Sequence, residues 1–160
     1  MKKAAKPYIA LITVITFAAL AGAFAGPQAE AQALTADEER ALALLNADRA
    51  VRGLAPLRPN LTLTAMARAH AQDMIDRGYA SHDTPEGETF AERLDRWGVA
   101  YQCAGENLAK NRSVEAAERA LMDSAVHRAN ILSPDFTEVG VGVRADADGS
   151  VYVVQDFIGR

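Results

Sequence analysis

The chain has 160 residues, with 17 basic and 21 acidic side chains, a net charge of −4 and a mean hydropathy of −0.08. An acidic balance of this kind argues against a nucleic-acid or anionic-membrane surface, since both need clustered Lys and Arg. The single cysteine, Cys103, rules out an internal disulfide, so the fold must be held by its core, with a free and largely buried thiol expected.

Lys2, Lys3 and Lys6 precede an uncharged apolar run from about Tyr8 to Leu20. Ala-x-Ala sites follow at Ala23–Ala25, Ala29–Ala31 and Ala31–Ala33. The run is shorter than the roughly 20 residues a membrane-spanning helix requires. A basic start, a short apolar segment and a small-residue cleavage site describe a secretory signal peptide. Residues 1–33 are therefore expected to be removed, leaving 34–160 as one secreted domain, extracellular or periplasmic, with no stable membrane span.

Thr35 and Glu38 form a capping box that begins a helix extending to about Arg52, with Ala41, Leu44, Leu45 and Val51 as its apolar stripe. Pro56 and Pro59 make the following connector stiff. A second helix is predicted from about Thr62 to Arg77, with Leu63, Met66, Ala67, His70 and Met74 on one face and Gly78 ending it. His70 falls on that inward face and reads as a core histidine. The loop "YASHDTPEGET" carries His82, and Phe90, Leu94 and Trp97 mark a short helix ending at Gly98. "VAYQCA" reads as a strand that ends at Gly105-Glu106-Asn107. Ser113 caps a helix over about 114–123, and "SAVHRANIL" reads as a short helix carrying His127. The final segment alternates at period two around Asp148-Gly149, a hairpin signal. Helices first and strands last predict an α+β domain with an antiparallel sheet packed between helices.

Most catalytic signatures are absent: there is no H-E-x-x-H and no G-x-S-x-G, and "GVGVRA" lies in a hairpin rather than before a helix. Taken singly, His82, Glu106 and His127 are each explained better by a structural role than by a functional one. Their order is more informative. "LLNADRAVRGLAPL", "ARAHAQDM", "SHDTPEGETFAERL", "AGENLA", "SAVHRANIL", "FTEVGVGV" and "YVVQDF" resemble the CAP superfamily, the cysteine-rich secretory, antigen 5 and pathogenesis-related 1 proteins whose module is the SCP domain. The short secreted bacterial branch is the nearest likeness, and it covers about residues 39–157.

The resemblance implies a three-layer α-β-α sandwich with a shallow cleft in which two His and two Glu gather. His82, Glu106 and His127 match three of these positions. Ser124 stands where the second Glu belongs, with Asp123 beside it, so the chain departs from the full set. The cleft expected from the resemblance thus comprises His82, Glu106, Asn107, Asp123, Ser124 and His127.

Three functions are consistent with these residues. The favoured one is a non-enzymatic binding module for an unknown extracellular lipid, cell-wall glycan or protein ligand. The second is a metal-dependent hydrolase in which His82, His127 and Glu106 hold Zn²⁺ and leave a coordination position open. The third makes Ser124, His127 and Glu106 nucleophile, base and orienter, with no visible oxyanion hole.

Overall fold

The computed structural model describes residues 33–160, so all but the last residue of the expected signal peptide lies outside the described residues. No helix among the described residues is long and apolar enough to cross a membrane. In chain order the elements are α1 (Ala36–Val51), β1 (Arg58–Pro59), α2 (Leu61–Arg77), α3 (Phe90–Arg96), β2 (Cys103–Asn111), α4 (Val114–Asp123), α5 (Ala125–Ile131), β3 (Glu138–Ala145) and β4 (Val151–Gly159).

The helices start where short polar side chains can satisfy their free N–H groups. Thr35 with Glu38 and Thr89 with Glu92 form reciprocal capping boxes on α1 and α3. Asn60 accepts from Thr62 and Leu63 to start α2, and Ser113 accepts from Ala116 to start α4. Val51 does not join the stripe of α1: it is 83% exposed, while Ala41 and Leu45 are fully buried. Val51 lies on the outer side of the last turn, whose buried face is taken by Arg49.

The sheet order is β1-β3-β4-β2. The three long strands are antiparallel, and the two-residue β1 adds a short parallel pairing to β3. Alternation sorts the side chains into two cores. Val139, Val141, Val143, Val153 and Phe157 face α1, α4 and α5, meeting Leu45, Leu121 and Ile131. Tyr152, Val154 and Ile158 face α2 and α3, meeting Met66, Met74 and Leu94. The result is the α-β-α sandwich. Gly140 and Gly142 let α2 lie directly on β3, since a Cβ at either would come within 2.4 Å of the α2 backbone.

β2 lies at one edge of the sheet. Elements from both helix layers can meet across a sheet edge without being kept apart by the sheet itself. Cys103, at the start of β2, is free but only half-buried, more open than expected, with Sγ 3.7 Å from the Asp135 carbonyl.

Candidate functional site

Glu106 is not at a strand end. It is the fourth residue of the nine-residue β2, paired across the ladder with Asp156. The Gly-Glu-Asn motif is therefore held within the strand ladder, and its alternation sends Glu106 and Asn107 to opposite faces of the sheet.

On the α2 face, the Glu106 side chain is 2% exposed and both of its oxygens are engaged. Oε1 meets His82 Nδ1 at 2.8 Å, and Oε2 accepts from Arg93 Nη2 at 2.6 Å. Arg93, itself 2% exposed, also donates through Nη1 to the His82 carbonyl at 2.7 Å. One buried guanidinium thus fixes both the carboxylate and the loop that carries its histidine partner. The hydrogen bond to Glu106 raises the pKa of His82 above its ordinary value. Since the Glu106 carboxylate is paired with a cation and can only accept, His82 Nδ1 carries the proton and Nε2 is the nitrogen left for other partners. Asp156 lies beneath Glu106, 1% exposed, with neither carboxylate oxygen hydrogen-bonded. Burial, then the charge of Glu106, push its pKa well up, which favours the neutral acid.

His70, from α2, is 3% exposed and its Nε2 donates to the Ser81 carbonyl at 3.0 Å. Burial lowers its pKa, so the neutral ring is favoured. It is a core histidine, as expected, and it anchors the loop immediately before His82.

On the other face Asn107 is fully buried and is not exposed in the cleft. Its Nδ2 donates to the His127 carbonyl and to Gln155 Oε1, both at 3.1 Å, while its Oδ1 accepts from Asn130 Nδ2 at 2.9 Å. Gln155 Nε2 in turn donates to Glu118 Oε2 at 2.7 Å. This chain of amides positions α5, and with it His127.

His82 and His127 line one cleft of about 200 Å³, with Met74, Leu108 and Tyr152 among its apolar walls and Lys110 at the rim. Burial, and then repulsion from His82, lower the pKa of His127. Lys110 is tied to Asp146 and Asp148 and lies 4.9 Å above the Tyr152 ring. Asp123 and Ser124 do not line this cleft. Asp123 is exposed, and Ser124 sits at the α4–α5 junction without a side-chain capping bond.

The hydrolase arrangement of Ser124, His127 and Glu106 is not formed: Glu106 bonds His82 rather than His127, and no hydrogen bond among the described residues joins Ser124 to His127. The residues do not fit a zinc centre either. Both Glu106 oxygens already have partners, one of them a cation, and no group of three or more His, Cys, Asp or Glu among the described residues is placed to hold a metal ion.

Sequence reasoning missed Arg93 and Asp156. Arg93 follows Phe90 by three residues and precedes Trp97 by four, so helical spacing puts it on the inward face of α3. Gln155 and Asp156 interrupt an otherwise largely apolar strand, which is a signal of its own.

The family model of CAP cysteine-rich secretory proteins matches residues 42–157. The uncharacterised protein YkwD of Bacillus subtilis is 40% identical over 128 residues, which are 79% of this chain and 49% of that protein. The chain therefore spans about half the length of that curated relative. An extracellular protein containing an SCP domain from Bacillus anthracis superposes with a TM-score of 0.71 at 32% identity, over 81% of this chain and 45% of that one. An outer surface protein of Borrelia burgdorferi gives a TM-score of 0.72 over 78% of this chain and 92% of that one, and at 19% identity it shows the fold alone.

Proposed function

This chain belongs to the CAP family of cysteine-rich secretory proteins, and on that footing we propose that it is an exported binding module that recognises an extracellular lipid, glycan or protein through the His82–His127 cleft. The observation that carries this reading is the engagement of both Glu106 oxygens, by His82 and by Arg93. A carboxylate so placed orients an imidazole; it does not serve as a free base or as a metal ligand. What the cleft offers is a small recess with apolar walls, His82 Nε2, and a second imidazole from the opposite layer. Such a recess suits one polar group carried on a larger ligand. The basic and apolar start of the chain supports export, as do the extracellular and outer-surface relatives.

The test is cosedimentation of the purified 34–160 chain with insoluble peptidoglycan, with zwitterionic and anionic phospholipid vesicles, and with bead-immobilised surface proteins. The His82→Ala, His127→Ala double variant is run alongside. Retention on one of these surfaces, lost in the double variant, is expected. Equal retention of both proteins on every surface, or of neither on any, would sink the reading. Zinc calorimetry is expected to show no sub-micromolar site. A tight 1:1 isotherm abolished by Glu106→Gln would restore the metal.

A further inference from the structure

A second and larger recess lies behind the loop that carries His82. It has a volume of about 450 Å³ and is walled by α2, α3 and the loop between them. Its apolar surface comes from Ala69 and Trp97, with the fully buried Met66 beneath them. Trp97 packs partly against the core of Leu63, Met66 and Leu94. The rim is ionic but internally balanced. Arg77 makes a bidentate pair with Glu86 at 2.7 and 2.8 Å, and Arg96 makes another with Glu88 at 2.6 and 3.0 Å. Arg93 forms part of the wall, and its Nε is buried without a hydrogen-bond partner.

Most classes of ligand fit this recess poorly. An anion meets guanidiniums already paired with carboxylates, and a cation meets carboxylates already paired with guanidiniums. An extended peptide finds no strand among the lining residues whose edge it could join. A purely apolar chain would take the rim pairs out of water without giving them new hydrogen bonds. The walls instead offer an aromatic surface beside paired side chains whose remaining N–H groups and oxygen lone pairs can still give and take hydrogen bonds. A pyranose matches both features, since it has an apolar C–H face and vicinal hydroxyls that donate and accept. We propose that this groove is a binding site for a neutral saccharide, distinct from the His82–His127 cleft and independent of how that cleft functions. Arg93 lies between the two sites: it lines the groove and donates to the His82 carbonyl, but it does not line the cleft.

The chain contains a single tryptophan, and it lies in this groove, so intrinsic fluorescence reports occupancy directly. The purified 34–160 chain is titrated with chitotriose and with maltotriose, using inorganic phosphate and galacturonate as anionic controls. A saturable change with at least one neutral trisaccharide is expected, insensitive to added salt. Glu88→Gln and Arg96→Ala, on a solvent-exposed pair whose loss leaves the fold intact, should each weaken it about tenfold, the loss of one hydrogen bond to a charged group. His127→Ala should leave it unchanged. Three results would each overturn the proposal: no saturable change with either trisaccharide up to about 10 mM, an affinity untouched by both rim variants, or saturation by the anionic probes alone. Loss of the signal in His127→Ala would also overturn it, by moving the site to the cleft.

Discussion

The two faces of β2 solve the same problem with different chemistry. On the α2 face, the buried Arg93–Glu106 ion pair, with Asp156 paired across the ladder, holds the half-exposed His82. On the α4 face, one residue along, Asn107, Gln155 and Asn130 form a chain of neutral amides. Each delivers one imidazole to the cleft. The ionic side has to hold a loop with no secondary structure of its own, and charged hydrogen bonds to a buried guanidinium are strong enough to do so. The amide side has only to seat a helix that already satisfies most of its own backbone, and neutral bonds suffice. The difference in strength follows from what each side positions. It also sets the order in which the two sides should fail.

Arg93→Leu should be the most damaging change. It leaves the Glu106 carboxylate buried beside Asp156 with no guanidinium, the situation in which breaking a buried pair costs about 3–5 kcal/mol. Urea denaturation measures this directly. A loss under about 1 kcal/mol would mean that the ionic side is not what holds the loop.

Next in size is a gain, and it comes from the amide side. Glu118 is 4% exposed, and burial raises its pKa to about 7. A carboxyl whose folded pKa is raised binds more protons folded than unfolded. Its penalty is therefore absent below about 4.5, grows as pH rises, and is complete above about 7. That shift corresponds to roughly 3 kcal/mol at most. Glu118→Gln keeps an acceptor for Gln155 and removes the charge, so the melting temperature should rise by several degrees at pH 8 and hardly change at pH 4. The same gain at both pH values would show that charge is not the cause.

Much of this arrangement was legible in the residues, because the signals were local. The Thr35–Glu38 capping box, the Gly78 stop and the Asp148-Gly149 turn are read within a few residues of one another, and the structure places each as expected. The pairing of β2 with β4 is not local. Only its register puts Asp156 opposite Glu106 and Gln155 opposite Asn107, so both polar clusters were out of reach. Arg93 was passed over because an arginine on a short helix is ordinarily a solvent-facing residue. The resemblance puts Ser124, with Asp123 beside it, in the cleft at the place of the second Glu, but the turn between α4 and α5 directs them elsewhere.

Asn107→Ala tests the neutral side without touching a charge. It removes two donated bonds and one accepted bond, and it leaves the His127 carbonyl, Gln155 and Asn130 short of a partner. A cost of about 2 kcal/mol is expected, below that of Arg93→Leu. Amide hydrogen exchange should accelerate in α5 while the loop around His82 stays protected. Faster exchange in that loop as well would mean that the two faces are not separate supports.

His82→Ala should have the smallest effect on stability. The His82 side chain is 52% exposed, so solvent screens its contact with Glu106, and Arg93 still satisfies the carboxylate. The expected cost is under about 1 kcal/mol, and its pH dependence has a definite sign. The folded pKa is raised above the unfolded value of about 6.5, so the contribution is fully present below that pH and is lost as pH rises through the folded pKa. The stability gap between wild type and variant should therefore narrow from pH 5 to pH 9. Histidine NMR titration resolves the cause. In the wild type the His82 midpoint should lie above that of His127, which burial and the neighbouring imidazole depress. Glu106→Gln replaces the charged acceptor with a neutral one and should bring the His82 midpoint down while leaving His127 close to its original value. If both midpoints fell together, the two rings would be responding to a shared change in the cleft rather than to the one carboxylate that His82 contacts.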